Sequence, residues 1–172
     1  DSRMEKQKKS FGLIKQYSSA AILLLEIIIC SALSPYFLTQ DNIINILRQI
    51  SIVTIMAFGE TLVIIAGQID LSVGAIGGMA GTFACAVFLA THNLFAAVMA
   101  AILIGCAVGI VNGLVTTIFD APPFIVTLAM QQIAFGIIYL YTNGQNIYQI
   151  GDFSKIGQGI VAGIPIPVLF MI

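Results

Sequence analysis

The sequence predicts an all-α membrane protein: a polytopic transmembrane helical bundle with broken helices, built from about five spans and an incomplete sixth. Hydrophobic residues make up 59% of its 172 residues, and only 9% are Asp, Glu, Lys or Arg. An ordinary soluble domain carries roughly 25% charged residues, because it must cover its surface. The mean hydropathy of +1.02 likewise indicates a chain solvated largely by lipid. The net charge of −1 gives no indication of a nucleic-acid partner.

The chain opens with a basic head, residues 1–16, which holds five of the seven positive charges. An apolar run follows from Tyr17 to Leu33, interrupted by Glu26. No small-residue cleavage site follows it, so we interpret this run as a retained span. Its Leu and Ile residues offset the cost of one charged residue at membrane depth. Because basic residues beside a span mark the cytoplasmic side, the head predicts a cytoplasmic N-terminus.

A polar break, residues 68–72, separates the second and third spans. The second span runs from about residue 50 to residue 66, and the third from residue 73 to residue 90. The break contains Asp70, and a charge near membrane depth is by default a functional-site hypothesis. Asp70 or Ser72 is also placed to accept amides at the start of the third span. Both interpretations stay open, because broken helices with exposed ends build transporter sites.

Two further helix starts carry residues that favour capping. Asp41 or Asn42 is positioned to cap the helix of the second span. A second break, residues 120–123, opens the fifth span at residues 124–141. We expect Asp120 to cap this span, and the prolines that follow it suit a first helical turn.

The fourth span, residues 94–119, contains 26 uncharged residues. They reach about 39 Å at ~1.5 Å per residue, enough to cross a ~30 Å core with tilt. Its small residues recur every four positions and form one smooth stripe: Ala101, Gly105, Gly109 and Gly113. Such a stripe lets another backbone approach closely, so we expect helix packing through its three glycines. Asn112 adjoins the stripe, and its amide either joins two helices or lines a polar pathway.

The remaining segment, residues 142–165, is polar and rich in glycine, which predicts a loop or a partly ordered surface element. Five spans and a cytoplasmic N-terminus place it outside the cell. The chain stops at Ile172, where a sixth span is beginning at Ile166. Seven residues cannot cross a bilayer. Residues 17–172 are therefore expected to be the N-terminal, truncated part of a longer transmembrane domain.

The sequence lacks the patterns of several enzyme and cofactor classes. It has no G-x-x-x-x-G-K-[ST] loop for ATP, and its three cysteines show no metal-ligand spacing. No catalytic triad is indicated. We therefore predict no catalytic residue, no cofactor and no metal site. Glu26 and Glu60 lie within spans, where each is either protonated or hydrogen-bonded, or part of a proton relay.

Four short motifs resemble those of a known family. They are A-G-Q-I-D-L-S-V-G at 66–74, G-I-V-N-G at 109–113, P-P-F-I-V-T-L at 122–128 and Y-T-N-G at 141–144. In this order and spacing they resemble the permease subunits of bacterial ABC importers for ribose, galactose, xylose and related sugars or sugar-like signals. The resemblance covers roughly residues 42–167. The chain departs from the family at Gln68, where a second Gly is common, and at Phe135, where Arg is frequent.

The resemblance implies a permease domain that translocates a sugar or sugar-like solute across the bacterial inner membrane, and not an enzyme. It implies four partners: a second permease copy, cytoplasmic ATPase subunits, a periplasmic solute-binding protein and the membrane lipid. ATP hydrolysis would then take place on the separate ATPase subunits. The candidates for the substrate pathway or the helix break are Asp70, Asn112, Thr127 and Glu60.

Two other classes of function remain open. An ion-coupled secondary transporter would use Glu26, Glu60 or Asp70, and its transport would collapse with the ion gradient rather than with the loss of ATP. A purely structural membrane subunit would show no dependence on any solute.

Overall fold

The computed structural model describes the backbone of residues 2–148 and 150–172, and the side chains of residues 17–148 and 150–172. The chain divides into two compact units, residues 1–46 and 47–172. In chain order the described elements are α1 (Ser2–Leu33), α2 (Gln40–Ile65), α3 (Val73–Thr91), α4 (Leu94–Ile118), α5 (Pro123–Thr142), a 3-10 turn (Gly151–Phe153), α6 (Ser154–Gln158), β1 (Ile160–Val161), β2 (Ile164–Pro165) and α7 (Ile166–Met171).

In the described part of the chain, four helices are long and apolar enough to cross a membrane: α2, α3, α4 and α5. They correspond to the second to fifth predicted spans, and α3 and α4 begin at the predicted residues. The first predicted span is helical as well, although its apolar stretch, Tyr17–Leu33, is shorter. Most large apolar side chains of these helices are exposed within this chain. This suits surfaces that lipid or further protein covers, and the prediction of an all-α membrane bundle is confirmed.

The first break forms because α2 ends on a glycine turn. Gly67 adopts a φ of 76°, a left-handed conformation that glycine takes without a Cβ penalty. The N–H of Gln68 then donates to the carbonyl of Val63 at 3.1 Å and closes the last turn. The chain runs without helix to Ser72 before α3 starts. The predicted break is therefore confirmed as a real interruption between two helices.

The prediction that Asp41 or Asn42 caps α2 is wrong. The helix begins at Gln40, so Asp41 and Asn42 already lie in its first turn. The side-chain amide of Asn42 donates to the carbonyl of Phe37 at 2.7 Å, instead of accepting a backbone amide.

The turn before α4 does carry a capping residue, whereas the break before α5 does not. The side chain of Asn93 accepts the N–H of Ala96 at 3.2 Å, which is the usual N-cap geometry. At α5 the N-cap position is Pro122, and no side chain caps the helix. Asp120 lies two residues earlier with a left-handed φ of 49°, so the expectation that it caps α5 is wrong. Pro123 occupies the first turn as expected.

The core of the second unit lies around α3, which packs mainly against α4 and α5. Ala75 and Met79 of α3 meet Ala134 of α5 in a buried cluster. Small residues on α3 allow this close approach: a Cβ on Gly78 would stand 3.7 Å from Cδ1 of Ile138. The three helices therefore form one packed body, in which the break before α3 is held at a fixed place.

Short ordered elements replace much of the predicted surface loop. After the 3-10 turn and α6, strands β1 and β2 pair antiparallel across a two-residue turn. Ala162 and Gly163 form this turn with φ values of 51° and 82°. A guanidinium nitrogen of Arg48 in α2 donates to the carbonyl of Gln158 at 3.0 Å. The partly ordered surface element expected from the sequence is thus fastened to the helix bundle.

Candidate functional site

A cluster of polar side chains surrounds the break between α2 and α3. We call it the break cluster, and its members are Glu60, Asp70, Ser72, Asn112 and Thr127. They come from α2, from the break itself and from α4 and α5, and they are joined by hydrogen bonds. All four candidates for the substrate pathway or the helix break therefore lie together. They are far apart in the sequence: the hydroxyl of Thr127 also lies 3.4 Å from the carbonyl of Ile69, 58 positions away.

The side chain of Asp70 fixes Ser72 at the start of α3. One carboxylate oxygen, Oδ1, accepts the N–H of Ser72 at 2.7 Å and also the Ser72 hydroxyl. Ser72 is completely buried, so these two donors find their partner inside the protein, as buried polar groups must. Ser72 is the N-cap residue but makes no side-chain cap hydrogen bond. The capping interpretation is thus wrong for Ser72, while Asp70 does accept an amide at the helix start.

The backbone of the break is held from both sides. The N–H of Asp70 donates to Oε1 of Glu60 at 3.2 Å. The N–H of Leu71 donates to Oγ1 of Thr127 at 3.1 Å. The Thr127 hydroxyl lies 2.9 Å from the carbonyl of Pro123, and a hydroxyl accepts through its lone pairs while it donates its one hydrogen. Glu60 and Thr127 therefore satisfy two backbone amides that a broken helix leaves without helical partners.

The side chain of Asn112 joins α4 to the start of α3. Its Nδ2 donates to Oγ of Ser72 at 3.0 Å, and only 7% of the residue is exposed. Its Oδ1 is buried and has no protein partner among the described residues. Asn112 also lines a cavity of about 210 Å³ together with Gln68, Asp70 and Thr116. Asn112 therefore joins α4 to the start of α3, and its role in a polar pathway stays a prediction.

The sequence did not predict Ser72, or the cavity residues Gln68 and Thr116, as members of a functional site; it indicated only a capping role for Ser72. The available signal was the Asp-x-Ser spacing, because an Asp side chain commonly accepts the amide two residues further on. Nothing in the sequence indicates that a residue of α4 would bond to this serine.

The glycine stripe of α4 faces open space within this chain. A Cβ added to Gly105, Gly109 or Gly113 would meet no atom of the described residues within 4 Å. Gly109 and Gly113 instead line the 210 Å³ cavity beside the break cluster. The predicted close packing is thus not made by another helix of the described chain. Packing of the stripe against protein outside this chain stays a prediction.

The break cluster carries two half-buried carboxylates, those of Glu60 and Asp70. Outside the cluster, Lys155 and Asp152 form a salt bridge at 2.8 Å on the surface. There the hydrogen bond and charge of Lys155 hold the pKa of the Asp152 carboxyl below its usual range. Glu26, the third carboxylate considered for ion coupling, is exposed in its own unit. No group of three or more His, Cys, Asp or Glu among the described residues is placed to hold a metal ion.

Comparison with known proteins shows that the chain is similar in sequence to membrane permeases. Residues 42–165 match the model of a family described as branched-chain amino acid transport system, permease component. The chain is 40% identical over 164 residues to the ribose import permease protein of Escherichia coli strain K12. The aligned region covers 92% of this chain and 51% of that protein.

Two further relatives have similar coverage. The ribose import permease protein of Bacillus subtilis is 36% identical over 164 residues, with 94% of this chain and 51% of the relative covered. The D-allose transport system permease protein of Escherichia coli is 36% identical over 170 residues, with 96% and 52% covered. The chain thus spans about half the length of these curated relatives. No solved structure matches it.

Proposed function

Because the chain belongs to the permease-component family whose model matches residues 42–165, we propose that it is part of the membrane-spanning permease of a binding-protein-dependent ABC importer. The proposed cargo is a sugar or a sugar-like solute. The similarity to proteins named as ribose and D-allose permeases, which extends over nearly the whole chain, is the observation that carries this proposal. The four membrane-capable helices provide a multi-pass framework for such a subunit.

The proposal includes the partners that an importer of this kind needs. The sequence contains no phosphate-binding loop, so ATP is hydrolysed on separate cytoplasmic ATPase subunits. A periplasmic binding protein delivers the solute, and a second permease copy completes the pathway in the bacterial inner membrane. In this assembly the break cluster provides the fixed interruption between α2 and α3. Broken helices of this kind border solute pathways in other transporters.

Uptake of radiolabelled D-ribose by cells that lack their own sugar importers tests the function. The assembled transporter, expressed with its binding protein and ATPase, is expected to accumulate D-ribose or D-allose. Uptake should stop when arsenate depletes ATP and should survive an ionophore that collapses the ion gradient. The reverse pattern would establish the ion-coupled transporter. Uptake of L-leucine instead of either sugar would replace the proposed solute class by the one that the family description names.

The proposed topology places the basic head in the cytoplasm and the segment 142–165 outside. We expect S10C and D152C, each in a variant without the three native cysteines, to react from opposite faces of the membrane. The side chain of Asp152 is 80% exposed, so a membrane-impermeant maleimide should label D152C in intact cells. It should label S10C only after permeabilisation. Labelling of both cysteines in intact cells would contradict the topology.

A further inference from the structure

A second cavity lies between α3 and the end of α5, away from the break cluster. Its volume is about 490 Å³, within the range of about 300–1,000 Å³ that small-molecule sites occupy. We propose that this cavity binds the transported solute as a neutral sugar ring, an inference that rests on the proposed function. The side chains on which the argument depends are Thr82, Phe135, Tyr139, Thr142, Gln145 and Asn146.

The Y-T-N-G motif, residues 141–144, contributes no residue to the break cluster. It forms one rim of this second cavity through Thr142 and Gly144. Asn143 and Gly144 follow α5 with left-handed φ values of 52° and 69°. The N–H of Gly144 donates to the carbonyl of Tyr139 at 3.1 Å and so reverses the chain. A Cβ at Gly144 would stand only 2.8 Å from Cε2 of Tyr139. Glycine at this position therefore allows the turn to lie against the tyrosine ring, and Gln145 follows directly on the cavity rim.

The opposite wall is tied to this rim by an aromatic pair. The rings of Phe83 in α3 and Tyr141 in α5 have centroids 4.9 Å apart and a tilt of 40°. Aromatic pairs at this separation stabilise the elements that carry them. The two helices that border the cavity are thus held at a fixed distance, and its walls are formed before a ligand arrives.

The lining combines flat apolar surfaces with neutral hydrogen-bonding groups. Phe135 and Tyr139 provide aromatic surface, and Gln145 provides an amide that both donates and accepts. The hydroxyls of Thr82 and Thr142 each donate to a carbonyl of their own helix at 2.8 Å. Their oxygen lone pairs therefore remain available to accept from a ligand hydroxyl.

The charge of the lining selects against ionic ligands. None of the residues that line this cavity in the described chain is Asp, Glu, Lys or Arg. A zwitterionic amino acid would find no charged partner for its ammonium or its carboxylate among these residues. A sugar has a C–H face for the aromatic rings and hydroxyls at its edge for the amide and threonines. In the proposed topology this cavity lies toward the external end of α5, where solute is released by the binding protein.

Protection of a native cysteine provides a direct test, because Cys85 lines the cavity and Cys106 does not. The assembled transporter carrying Cys30→Ser is treated with N-ethylmaleimide, with and without saturating D-ribose or D-allose. We expect one of these sugars to slow the alkylation of Cys85 at least fivefold. Cys106, which lies outside the cavity, should react at an unchanged rate, and L-leucine at the same concentration should protect neither cysteine.

A pair of glutamine variants links the site to transport. Gln145→Ala should remove the protection of Cys85 and raise the KM for sugar uptake about tenfold, which corresponds to about 1.4 kcal/mol, while the maximal rate per transporter changes less than twofold. The control is Gln158→Ala, because the side chain of Gln158 is exposed and outside the cavity. Uptake of sugar without protection of Cys85 would overturn the site and leave the proposed function standing. Protection of Cys85 without any uptake would establish the site and overturn the transport function.

Discussion

Replacement of Asp70 by alanine is expected to lower sugar uptake per transporter at least tenfold while leaving the protein in the membrane. The substitution removes the acceptor of two donors on Ser72, its N–H and its hydroxyl. Ser72 is fully buried, and each unsatisfied buried group costs about 1–3 kcal/mol. Such a loss is enough to release the start of α3 from its place. The core of Ala75, Met79 and Ala134 does not involve Asp70, so the bundle should still assemble.

Asparagine at the same position separates geometry from charge. Asp70→Asn keeps an oxygen at the place where both donors of Ser72 bind, so it should retain a substantial part of the uptake. The matched control is Asp120→Asn at the second break, because Asp120 caps no helix and asparagine tolerates its left-handed φ of 49°. The measurement is uptake of labelled D-ribose, normalised to the amount of transporter in the membrane.

The outcomes distinguish three roles of this carboxylate. Normal uptake by Asp70→Ala would reduce Asp70 to a local structural residue without a part in transport. An Asp70→Asn variant as inactive as Asp70→Ala would show that the negative charge itself is needed, which favours ion coupling through this residue. If Asp120→Asn lost as much uptake as Asp70→Asn, any change at a break would disturb transport, and Asp70 would have no specific role.

The helices were predictable from the sequence because their signals are local. Apolar runs of membrane length, interrupted at residues 68–72 and again at residues 120–123, determine the spans, because lipid penalises charges placed within them. The exact helix ends were less predictable. Capping depends on the backbone conformation of two or three residues, and the left-handed turn at Asp120 leaves no trace in the composition.

The break cluster was predictable as a set of residues but not as an arrangement. Asp70 was predictable because it is a charge in an apolar chain, and Asn112 because it is an amide beside a glycine stripe. Their connection through Ser72 depends on the register between α3 and α4, which results from the packing of α3 against its neighbours. Hydropathy records which residues avoid water, but it does not record which turns of two helices meet.

For the glycine stripe, too, the sequence predicts which residues share a face of the helix but not what they contact. A helical repeat of four residues predicts that Gly105, Gly109 and Gly113 lie on one face, and this follows from the geometry of any helix. It does not predict what that face contacts. The open space beside these glycines leaves this face free to contact protein outside the described chain.

Leucine at Gly109 is therefore expected to prevent assembly of the transporter. Within this chain the added side chain would enter the 210 Å³ cavity beside Asn112 and would also stand in the way of any helix that approaches the stripe. We expect the yield of assembled transporter, measured by size-exclusion chromatography after mild solubilisation, to fall at least fivefold. Leu103→Val, an exposed position of α4 away from the stripe, should change the yield little.

Alanine at the same position shows whether the contact lies inside or outside this chain. A Cβ at Gly109 meets no atom of the described residues within 4 Å, so Gly109→Ala should cost this chain nothing in packing. It should even favour the helix, since alanine is preferred over glycine by about 1 kcal/mol. If a second helix nevertheless packs on the stripe, Gly109→Ala will lower the assembled yield while the thermal stability of the unassembled chain stays equal or rises. Unchanged assembly in both Gly109→Ala and Gly109→Leu would show that the stripe faces lipid, and the packing hypothesis would be wrong.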